Sequence, residues 1–267
     1  MKTLATLMRL DGRAALITGG AGHIGRAIGE ALAELGASVA VLDLDATAAA
    51  AVADGLTRDY RVPAAAIGVD LSDEGSVRAV PGRVMDLLGR LDILVNNAAL
   101  VGTSELLGWA VPFREQDANT WRRALEINLT APFVLTQACQ DALVSSGHGS
   151  VINIGSIYGM VGPVMSLYRG TSLANPAAYA ASKGGLLQLT RWLATVLAPS
   201  VRVNSITVGG VSRNQPREFV ENYVEHTPLA RMASEEDLKG AALYLASDLS
   251  AYVTGHNLVV DGGWTVW

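Results

Sequence analysis

The chain has 267 residues, 50% of them hydrophobic, and is therefore long enough to bury the core of one large domain. Its formal net charge is −5 and no stretch concentrates lysine and arginine, which excludes the charge pattern of proteins that bind nucleic acid or an anionic membrane. The single cysteine, Cys139, excludes an internal disulfide, and its apolar neighbours indicate a small buried side chain.

Targeting and metal signals are absent from the sequence. Arg9 and Asp11 interrupt the amino-terminal apolar run before it reaches the length of a secretion signal, so we expect a cytoplasmic protein. The longest uncharged stretch, residues 142–168, contains too much Gly, Ser and Asn to span a membrane. The four histidines show no ligand spacing with one another or with Cys139, so we expect no metal site.

Strand-like runs alternate with helical patterns along the chain. The strand-like runs are AALIT, SVAVLD, AAAIGVD, DILVNN, SVINI, VRVNSI and NLVV. They are almost continuously apolar, as parallel strands are when helices cover both faces of a sheet. We therefore predict an α/β fold in a single domain, residues 1–267, with a doubly wound parallel sheet of about seven strands. Pro81 falls inside a helical pattern and predicts a kink or break there.

The first strand-like run leads directly into TGGAGHIG, a glycine-rich turn that opens a helix. Glycines let the backbone turn sharply and approach a pyrophosphate, whose charge is stabilised by the free amides and the positive end of the helix. Within a βαβ unit this pattern predicts a dinucleotide site. The residues assigned to the turn are Gly19, Gly22, His23, Ile24 and Gly25.

The ends of the next three strands complete the predicted cofactor site. Asp43 ends the second strand, where a carboxylate accepts hydrogen bonds from ribose hydroxyls and repels a 2′-phosphate, so we predict NAD rather than NADP. Asp70 and Leu71 end the third strand, with Asp70 placed to reach the adenine amino group. Asn97 and Ala98 follow the fourth strand, where small residues let the chain pass close to the cofactor.

Residues 156–185 contain three tyrosines and one lysine. A tyrosine is a poor base at neutral pH because its pKa is about 10, so a catalytic tyrosine needs a cation nearby. Tyr179 has one at helical spacing, because Lys183 lies four residues on, whereas Tyr158 and Tyr168 have none there. Ser156 ends the preceding strand, where its hydroxyl can bind the substrate oxygen that exchanges a proton with Tyr179.

These residues, in this order and spacing, resemble the short-chain dehydrogenase/reductase family from about residue 13 to residue 263. The resemblance also uses Asn128 in INLTAPF and the carboxy-terminal YVTGHNLVVDGG. It implies a Rossmann-like fold and hydride transfer between an alcohol carbon and a nicotinamide, with Tyr179 as general acid/base. It further implies that Lys183 lowers the pKa of Tyr179 and binds the ribose, that Ser156 orients the substrate, and that Asn128 holds a water linking Lys183 to solvent.

Four departures from the family pattern concern the cofactor site. His23 stands where the family usually has the middle glycine of the turn, and NNAA replaces NNAG. Val208 stands where a proline usually precedes the segment that grips the nicotinamide carboxamide, and Arg213 stands where a threonine is common. Val211 keeps a backbone contact to the cofactor in this interpretation.

Two irregular segments, residues 100–119 and 159–176, are interpreted as insertions on the substrate side. Ser156 and Tyr179 are 23 positions apart, about ten more than is common in the family, and such insertions project from the strand ends that bear the active site. Tyr168 and Arg169 are assigned to the substrate pocket or to packing against a neighbouring subunit. Arg213 is assigned to the substrate as well.

We expect three residues of the segment 100–119 at the rim of the substrate pocket: Trp109, Phe113 and Arg114. Aromatic faces with arginines suit a sugar, phosphate or nucleotide-linked substrate, and the pattern weakly resembles family members of bacterial sugar and surface-polysaccharide biosynthesis. The leading function is NAD-dependent interconversion of a secondary alcohol and a ketone on a polar or sugar-derived small molecule. The alternatives are a 3-oxoacyl-thioester reductase and a non-catalytic dinucleotide-binding regulator.

Two helical segments are apolar around most of their circumference, INLTAPFVLTQACQDAL and the one that carries Tyr179. A helix of this kind must be buried on more faces than the sheet alone covers. We therefore predict a homodimer or homotetramer packed through these helices.

Overall fold

The computed structural model describes residues 1–102, 104, 106–171 and 173–267. Its centre is one parallel sheet with the strand order β3-β2-β1-β4-β5-β6-β7. The strands are β1 (Ala14–Thr18), β2 (Ser38–Asp43), β3 (Ala64–Gly68), β4 (Ile93–Asn96), β5 (Gly149–Ser156), β6 (Val201–Val208) and β7 (Asn257–Val260). The predicted α/β fold with seven parallel strands is confirmed.

Helices connect these strands on both faces of the sheet. In the described part of the chain they are α1 (Leu4–Met8), α2 (His23–Glu34), α3 (Ala46–Tyr60), α4 (Glu74–Leu88), α5 (Ala118–Leu125), α6 (Ala131–Ser146), α7 (Ala177–Leu197), α8 (Arg217–Glu225) and α9 (Glu236–Ala246). Short 3-10 turns lie at Phe113–Glu115, Ile157–Gly159, Met165–Tyr168 and Asp248–Ser250, and a π turn at Glu126–Thr130 joins α5 to α6. None of the helices in these residue ranges is long and apolar enough to cross a membrane.

The central strands β1, β4 and β5 are buried on both faces, because successive side chains point to opposite sides of the sheet and helices cover both sides. In β1, Ile17 packs with α2, α3 and α9, whereas Leu16 packs with α4, α6 and α7. Both side chains are almost fully buried. The near-continuous apolar runs in the sequence follow from this two-sided burial.

The strand order reverses next to β1, which pairs with β2 on one side and with β4 on the other. The chain runs outward from β1 to β3 and then returns to begin the second half at β4. Two crossover connections therefore leave β1 and β4 in opposite directions, and a crevice opens at the carboxyl ends of these strands, where ligands bind in folds of this type.

The predicted break at Pro81 does not occur, because α4 continues through this residue. Val77, Val80 and Val84 of this helix are buried against the sheet. This packing on both sides of the proline outweighs the lost backbone hydrogen bond, so tertiary burial decides the local structure.

Candidate active site

A cleft with a volume of about 610 Å³ lies at the carboxyl ends of the strands. Its lining contains residues from six of the functional segments identified in the sequence: the glycine turn, the end of β4, the end of β5, the insertion, α7 and the loop after β6. The lining residues that carry the argument below are His23, Ile24, Asn97, Ser156, Tyr158, Tyr168, Asn175, Tyr179, Lys183, Val211, Arg213 and Glu235.

The glycine turn between β1 and α2 is packed too closely for larger residues. Gly19 has a φ of +60°, and a Cβ atom there would lie 2.9 Å from the Ala98 Cα. A Cβ atom on Gly25 would clash with the carbonyl oxygen of Gly19. Gly22 precedes α2, which has no side-chain cap, so the first amides of this helix are available to an anion.

Hydrogen bonds to Thr18 fix the end of β4 against the turn. The Thr18 Oγ1 accepts from the backbone amides of Asn97 and Ala98, at 3.0 and 3.1 Å. The Asn97 Nδ2 donates to the carbonyl oxygens of Thr18 and Gly19, at 2.9 and 3.0 Å. The asparagine predicted to contact the cofactor thus also holds two strand ends together.

The two predicted adenosine-binding carboxylates lie beside the cleft, outside its lining. Asp43 ends β2, and its side chain accepts from the backbone amides of Ala21 at 3.1 Å and Asp45 at 3.2 Å. Asp70 is exposed, and hydrogen bonds from the backbone amide and hydroxyl of Ser72 hold its pKa below the usual value. Leu71 follows it and is half-buried.

The predicted catalytic groups come together at the floor of the cleft. Ser156 ends β5, while Tyr179 and Lys183 lie on the first two turns of α7. A hydrogen bond joins the side chains of Ser156 and Tyr179. The Lys183 Nζ lies 5.9 Å from the centre of the Tyr179 ring and donates to the Ile154 carbonyl oxygen at 2.7 Å.

The predicted lowering of the Tyr179 pKa by Lys183 stays a prediction, and burial has the largest effect on the pKa of both groups in this structure. Burial raises the pKa of Tyr179, and the hydrogen bond from Ser156 opposes that shift without cancelling it. Burial also lowers the pKa of Lys183 to about 8, because its ammonium group has no carboxylate partner among the described residues. The lysine charge is directed at a backbone carbonyl of β5, and the phenol is the favoured form of Tyr179 at neutral pH.

Asn128 lies in the π turn between α5 and α6, close to the start of α7. Its Oδ1 accepts from the Leu100 amide at 2.7 Å, and its Nδ2 donates to the Leu100 carbonyl at 3.0 Å and to Ser182 Oγ at 3.1 Å. These bonds tie the loop after β4 to the helix that carries Tyr179 and Lys183. The predicted water relay remains a prediction.

The loop after β6 brings Arg213 to the cleft, where it forms a small charged cluster with His23 and Glu235. Val211 forms a bridge with Ala233. The Glu235 carboxylate lies 3.5 Å from His23 Nδ1 and 4.0 Å from Arg213 Nε. The histidine that departs from the glycine pattern therefore sits at the start of α2, facing a carboxylate.

The insertion at residues 159–176 contributes Tyr168 and residues 173–176 to the lining of the cleft. Tyr168 packs its ring against Phe219 of α8 and donates a hydrogen bond from its hydroxyl to the Tyr158 hydroxyl at 2.8 Å. Arg169 is exposed and lies outside the cleft lining, because the turn directs the next residue outward. The expected role of Arg169 at the substrate is therefore not supported.

The other segment, residues 100–119, differs from the expectation in its aromatic residues; Thr103 and Glu105 lie outside the described residues. Trp109 is buried, with its Nε1 donating to the Val101 carbonyl at 2.7 Å, and forms a small core with Ala124 and Ala178. Phe113 is exposed and does not line the cleft. The expected aromatic rim is therefore wrong for this segment, because its tryptophan anchors the loop to α5 and α7.

Comparisons with known proteins agree with this geometry. The model of a family described as enoyl-(acyl carrier protein) reductase matches residues 19–265. The D-threitol dehydrogenase of Mycolicibacterium smegmatis is 35% identical, covering 97% of this chain and 95% of that protein. The 3-oxoacyl-[acyl-carrier-protein] reductase FabG of Aquifex aeolicus is 32% identical, covering 96% of this chain and 98% of that protein.

A short-chain type dehydrogenase/reductase from Mycobacterium marinum superposes with a TM-score of 0.86 at 32% identity, covering 99% of both chains. The chain belongs to the short-chain dehydrogenase/reductase family. Its reaction class is therefore NAD(P)-dependent interconversion of a secondary alcohol and a ketone.

The residues of this short-chain dehydrogenase/reductase fit a dinucleotide. The turn at Gly19 and Gly25 leaves no room for a Cβ atom, and the uncapped start of α2 offers amides to a pyrophosphate. Asp43 supplies a carboxylate at the end of β2 for ribose hydroxyls. Within the described residue ranges, no three His, Cys, Asp or Glu side chains are grouped to hold a metal ion.

Sequence reasoning did not assign two residues of the cleft. The sequence gives Tyr158 no role because no lysine follows it at helical spacing, but the structure places it in the lining of the cleft, two residues after Ser156. Asn175 precedes Pro176 at the start of α7, and its side chain is 92% buried and lines the cleft. The sequence signal that could have identified both residues is their position, two residues after Ser156 for Tyr158 and four residues before Tyr179 for Asn175.

The buried lysine predicts a trade-off between activity and stability. Below pH 8 the folded chain must keep a charged ammonium buried, and this cost disappears as pH rises towards the ordinary lysine value of 10.5. We expect Lys183→Met to raise the free energy of unfolding at pH 7 by about 1–2 kcal/mol, net of the lost hydrogen bond to Ile154, and to abolish turnover. The gain should shrink near pH 10.

Urea unfolding at pH 7 and pH 10 measures this effect. The control is Lys239→Met, since Lys239 pairs with Glu30 at 3.1 Å and this contact raises its pKa. The contact between Lys239 and Glu30 stabilises the folded chain below pH 10.5, and this stabilisation is lost as the pH rises through the raised pKa of Lys239. We therefore expect Lys239→Met to lower the free energy of unfolding at pH 7, which is opposite in sign to the effect of Lys183→Met. A Lys183→Met variant that is less stable than the parent at pH 7 would contradict the prediction.

Proposed function

We propose that this short-chain dehydrogenase/reductase interconverts a secondary alcohol and a ketone on a small polyhydroxylated substrate, with Tyr179 as general acid/base and NAD as the preferred cofactor. The observation that carries the proposal is the meeting of Ser156, Tyr179 and Lys183 at one end of a cleft whose other wall is built by the insertion.

The proton chemistry follows from the hydrogen bonds of the three residues. Ser156 Oγ is held by the backbone amide of Tyr158 at 3.2 Å and contacts Tyr179, so it is placed to orient the reacting oxygen of the substrate. Tyr179 gives its proton to that oxygen during ketone reduction and takes it back during alcohol oxidation. When bound, NAD⁺ accepts a hydride and brings a positive charge into the cleft.

Lys183 influences the proton transfer of Tyr179 because its ammonium group lies near the tyrosine ring. Its bond to the Ile154 carbonyl keeps the ammonium on the floor of the cleft, from which it can bind a ribose hydroxyl. Its lowered pKa of about 8 lets it exchange protons near neutral pH. Asn128, which is bonded to Ser182 next to it, is proposed to hold the water through which this exchange reaches solvent.

The polyhydroxylated substrate class is supported by the polar groups of the insertion and by the similarity to a D-threitol dehydrogenase. The second candidate is reduction of a 3-oxoacyl thioester, which the similarity to FabG of Aquifex aeolicus favours. A regulator without catalysis is the third reading. It conflicts with the retention of Ser156, Tyr179, Lys183 and Asn128 together.

The preference for NAD is supported by Asp43. Its carboxylate is fixed by two backbone amides at the end of β2, where a 2′-phosphate would meet a negative charge. A cytoplasmic location remains a prediction.

Assembly into a homodimer or homotetramer is supported by apolar side chains that are exposed on α6 and α7. Trp192 and Val196 are half-exposed on α7, and Phe133 and Val144 are exposed on α6. Large apolar groups on neighbouring helices of one sheet face suit a self-complementary contact between copies.

The activity is tested by following nicotinamide absorbance with NAD and NADP against polyols, phosphorylated sugars, nucleotide-linked sugars and 3-hydroxyacyl thioesters. We expect NAD turnover on polyols, and a loss of about 10²- to 10⁴-fold in Tyr179→Phe with cofactor binding retained. Because the pKa of Tyr179 is raised, kcat/KM for oxidation should keep rising between pH 7 and pH 10. Ser156→Ala should move this rise to higher pH, since it removes the bond that lowers the tyrosine pKa.

Turnover of thioesters alone, with NADP, would replace the proposed substrate by the second candidate. An unchanged rate in Tyr179→Phe would contradict the role of this residue. Cofactor binding without turnover of any compound would favour a regulator.

Cofactor choice is tested with Asp43→Ser. Removing the carboxylate should weaken NAD binding about 10- to 100-fold and strengthen NADP binding, because a ribose partner and a repulsive charge are both lost. Dissociation constants from cofactor fluorescence titration measure both effects. The matched control is Asp45→Ser, which keeps a cap on α3 and should leave the ratio unchanged. A parent protein that binds both cofactors equally would overturn the preference.

The oligomer is tested with Trp192→Glu, which places a charge on the apolar surface of α7. We expect light scattering at micromolar concentration to show a homodimer or homotetramer for the parent chain and a smaller species for the variant. Leu87→Glu is the control, since Leu87 is comparably exposed on α4. A monomeric parent chain would contradict the assembly.

A further inference from the structure

The wall of the cleft opposite the glycine turn is mainly aromatic. Phe219 and Tyr223 of α8 pack with Trp264 and Met232 in one buried cluster, against which the insertion is folded. Polar atoms are few on such a wall, and in pockets of this kind a small number of polar groups fix the orientation of a ligand.

Two of these polar atoms have unused hydrogen-bonding capacity. The Tyr168 hydroxyl donates to the Tyr158 hydroxyl at 2.8 Å, which leaves the Tyr158 proton free to donate elsewhere. The Asn175 Oδ1 is buried without a hydrogen-bond partner among the described residues. The Asn175 side chain also lies beside the Tyr168 hydroxyl, so Tyr168 contacts both Tyr158 and Asn175.

The local backbone holds these groups close to the reacting centre. Tyr158 follows Ser156 by two residues, and its amide donates to the Ser156 Oγ. Asn175 precedes Pro176, whose carbonyl accepts from the Tyr179 amide at 3.0 Å. A residue before proline is restricted to extended backbone, which limits the positions that the asparagine side chain can take.

One donor and one acceptor that line the same cleft and contact the same tyrosine match a hydroxyl group, which both accepts and donates a hydrogen bond. We propose that Tyr158 and Asn175 form a specificity subsite that binds a second hydroxyl of the substrate, on the carbon next to the one that reacts. The inference rests on the proposed function and extends it: the enzyme selects vicinal diols and longer polyols over simple secondary alcohols.

The subsite discriminates through the groups that an incorrect substrate leaves unpaired. A substrate with a methyl or methylene group at this place buries the Tyr158 proton and the Asn175 oxygen without partners. A site that is built to hydrogen-bond a substrate hydroxyl rejects the analogue without it more strongly than an apolar pocket rejects a change in size. Tyr168 is a positioning residue, because its hydrogen bond sets the direction of the Tyr158 hydroxyl.

The test compares butane-2,3-diol with butan-2-ol, which lacks only the neighbouring hydroxyl, for the parent chain, Tyr158→Phe and Asn175→Leu. We expect the parent to prefer the diol by about 10- to 100-fold in kcat/KM, and each variant to lower this ratio towards one. The ratio of the two kcat/KM values is the deciding quantity, because a general loss of activity lowers both values together and leaves the ratio unchanged. The exposed Tyr252→Phe is the matched control for loss of a hydroxyl, and melting temperatures identify variants that are misfolded.

A parent chain that uses both compounds equally would overturn the subsite while leaving the proposed function intact, as would variants that slow both reactions to the same extent. If neither compound reacts, the proposed function loses its support and the subsite is judged by binding alone. A thermal-shift titration with the diol should then show stabilisation of the parent that is reduced in Tyr158→Phe. No shift, or an equal shift, would overturn it.

Discussion

The hydrogen bond from the Lys183 ammonium to the Ile154 carbonyl is the contact on which the reacting centre depends. It joins α7 to β5 beneath the cleft, and these two elements carry the three groups that act on the substrate. An ammonium buried in this way lowers stability, as its depressed pKa shows. Retaining it is understandable only if the charge serves the ligands of the cleft, because an apolar side chain of similar length would pack there at lower cost.

The doubly wound topology brings the other functional residues to the edge of the sheet where Lys183 contacts Ile154. Because the parallel strands all end at one edge of the sheet, residues from distant parts of the sequence meet there without long connections. The reversal between β1 and β4 opens the crevice for the cofactor, and the long insertion after β5 closes the opposite side. The fold therefore separates two tasks, since the first half binds the dinucleotide and the second half shapes the substrate pocket.

The sequence predicts the parts of this structure that depend on short-range patterns. The seven strands follow from apolar runs, and the pairing of Tyr179 with Lys183 follows from helical spacing. The side-chain environment within loops does not follow in this way: Trp109 was expected at the rim of the substrate pocket but is buried, and Arg169, expected in that pocket or at a subunit contact, is exposed outside the cleft lining. Whether a loop side chain packs inward depends on partners distant in sequence, such as Ala178 for Trp109.

The charges and pKa values of the reacting groups also follow only in part from the sequence. Spacing places a cation near Tyr179, but the pKa of the tyrosine depends on burial and on where the ammonium is directed, which only the assembled structure fixes. Similarly, the unused oxygen of Asn175 is visible only once its neighbours are known.

A buried polar chain under the cleft explains how the reacting groups keep their positions. The Asn96 Nδ2 donates to the Asn153 Oδ1 at 2.8 Å, and the Asn153 Nδ2 donates to the Thr190 Oγ1 at 2.9 Å, so β4, β5 and α7 are linked in series. Apolar contacts alone would let a helix slide along a sheet at little cost, whereas a shift of α7 would break the bond from Asn153 to Thr190 and leave a buried amide unpaired. The register of α7 against β5 is therefore fixed within the core, and the distance between Tyr179 and Ser156 is a consequence of that register.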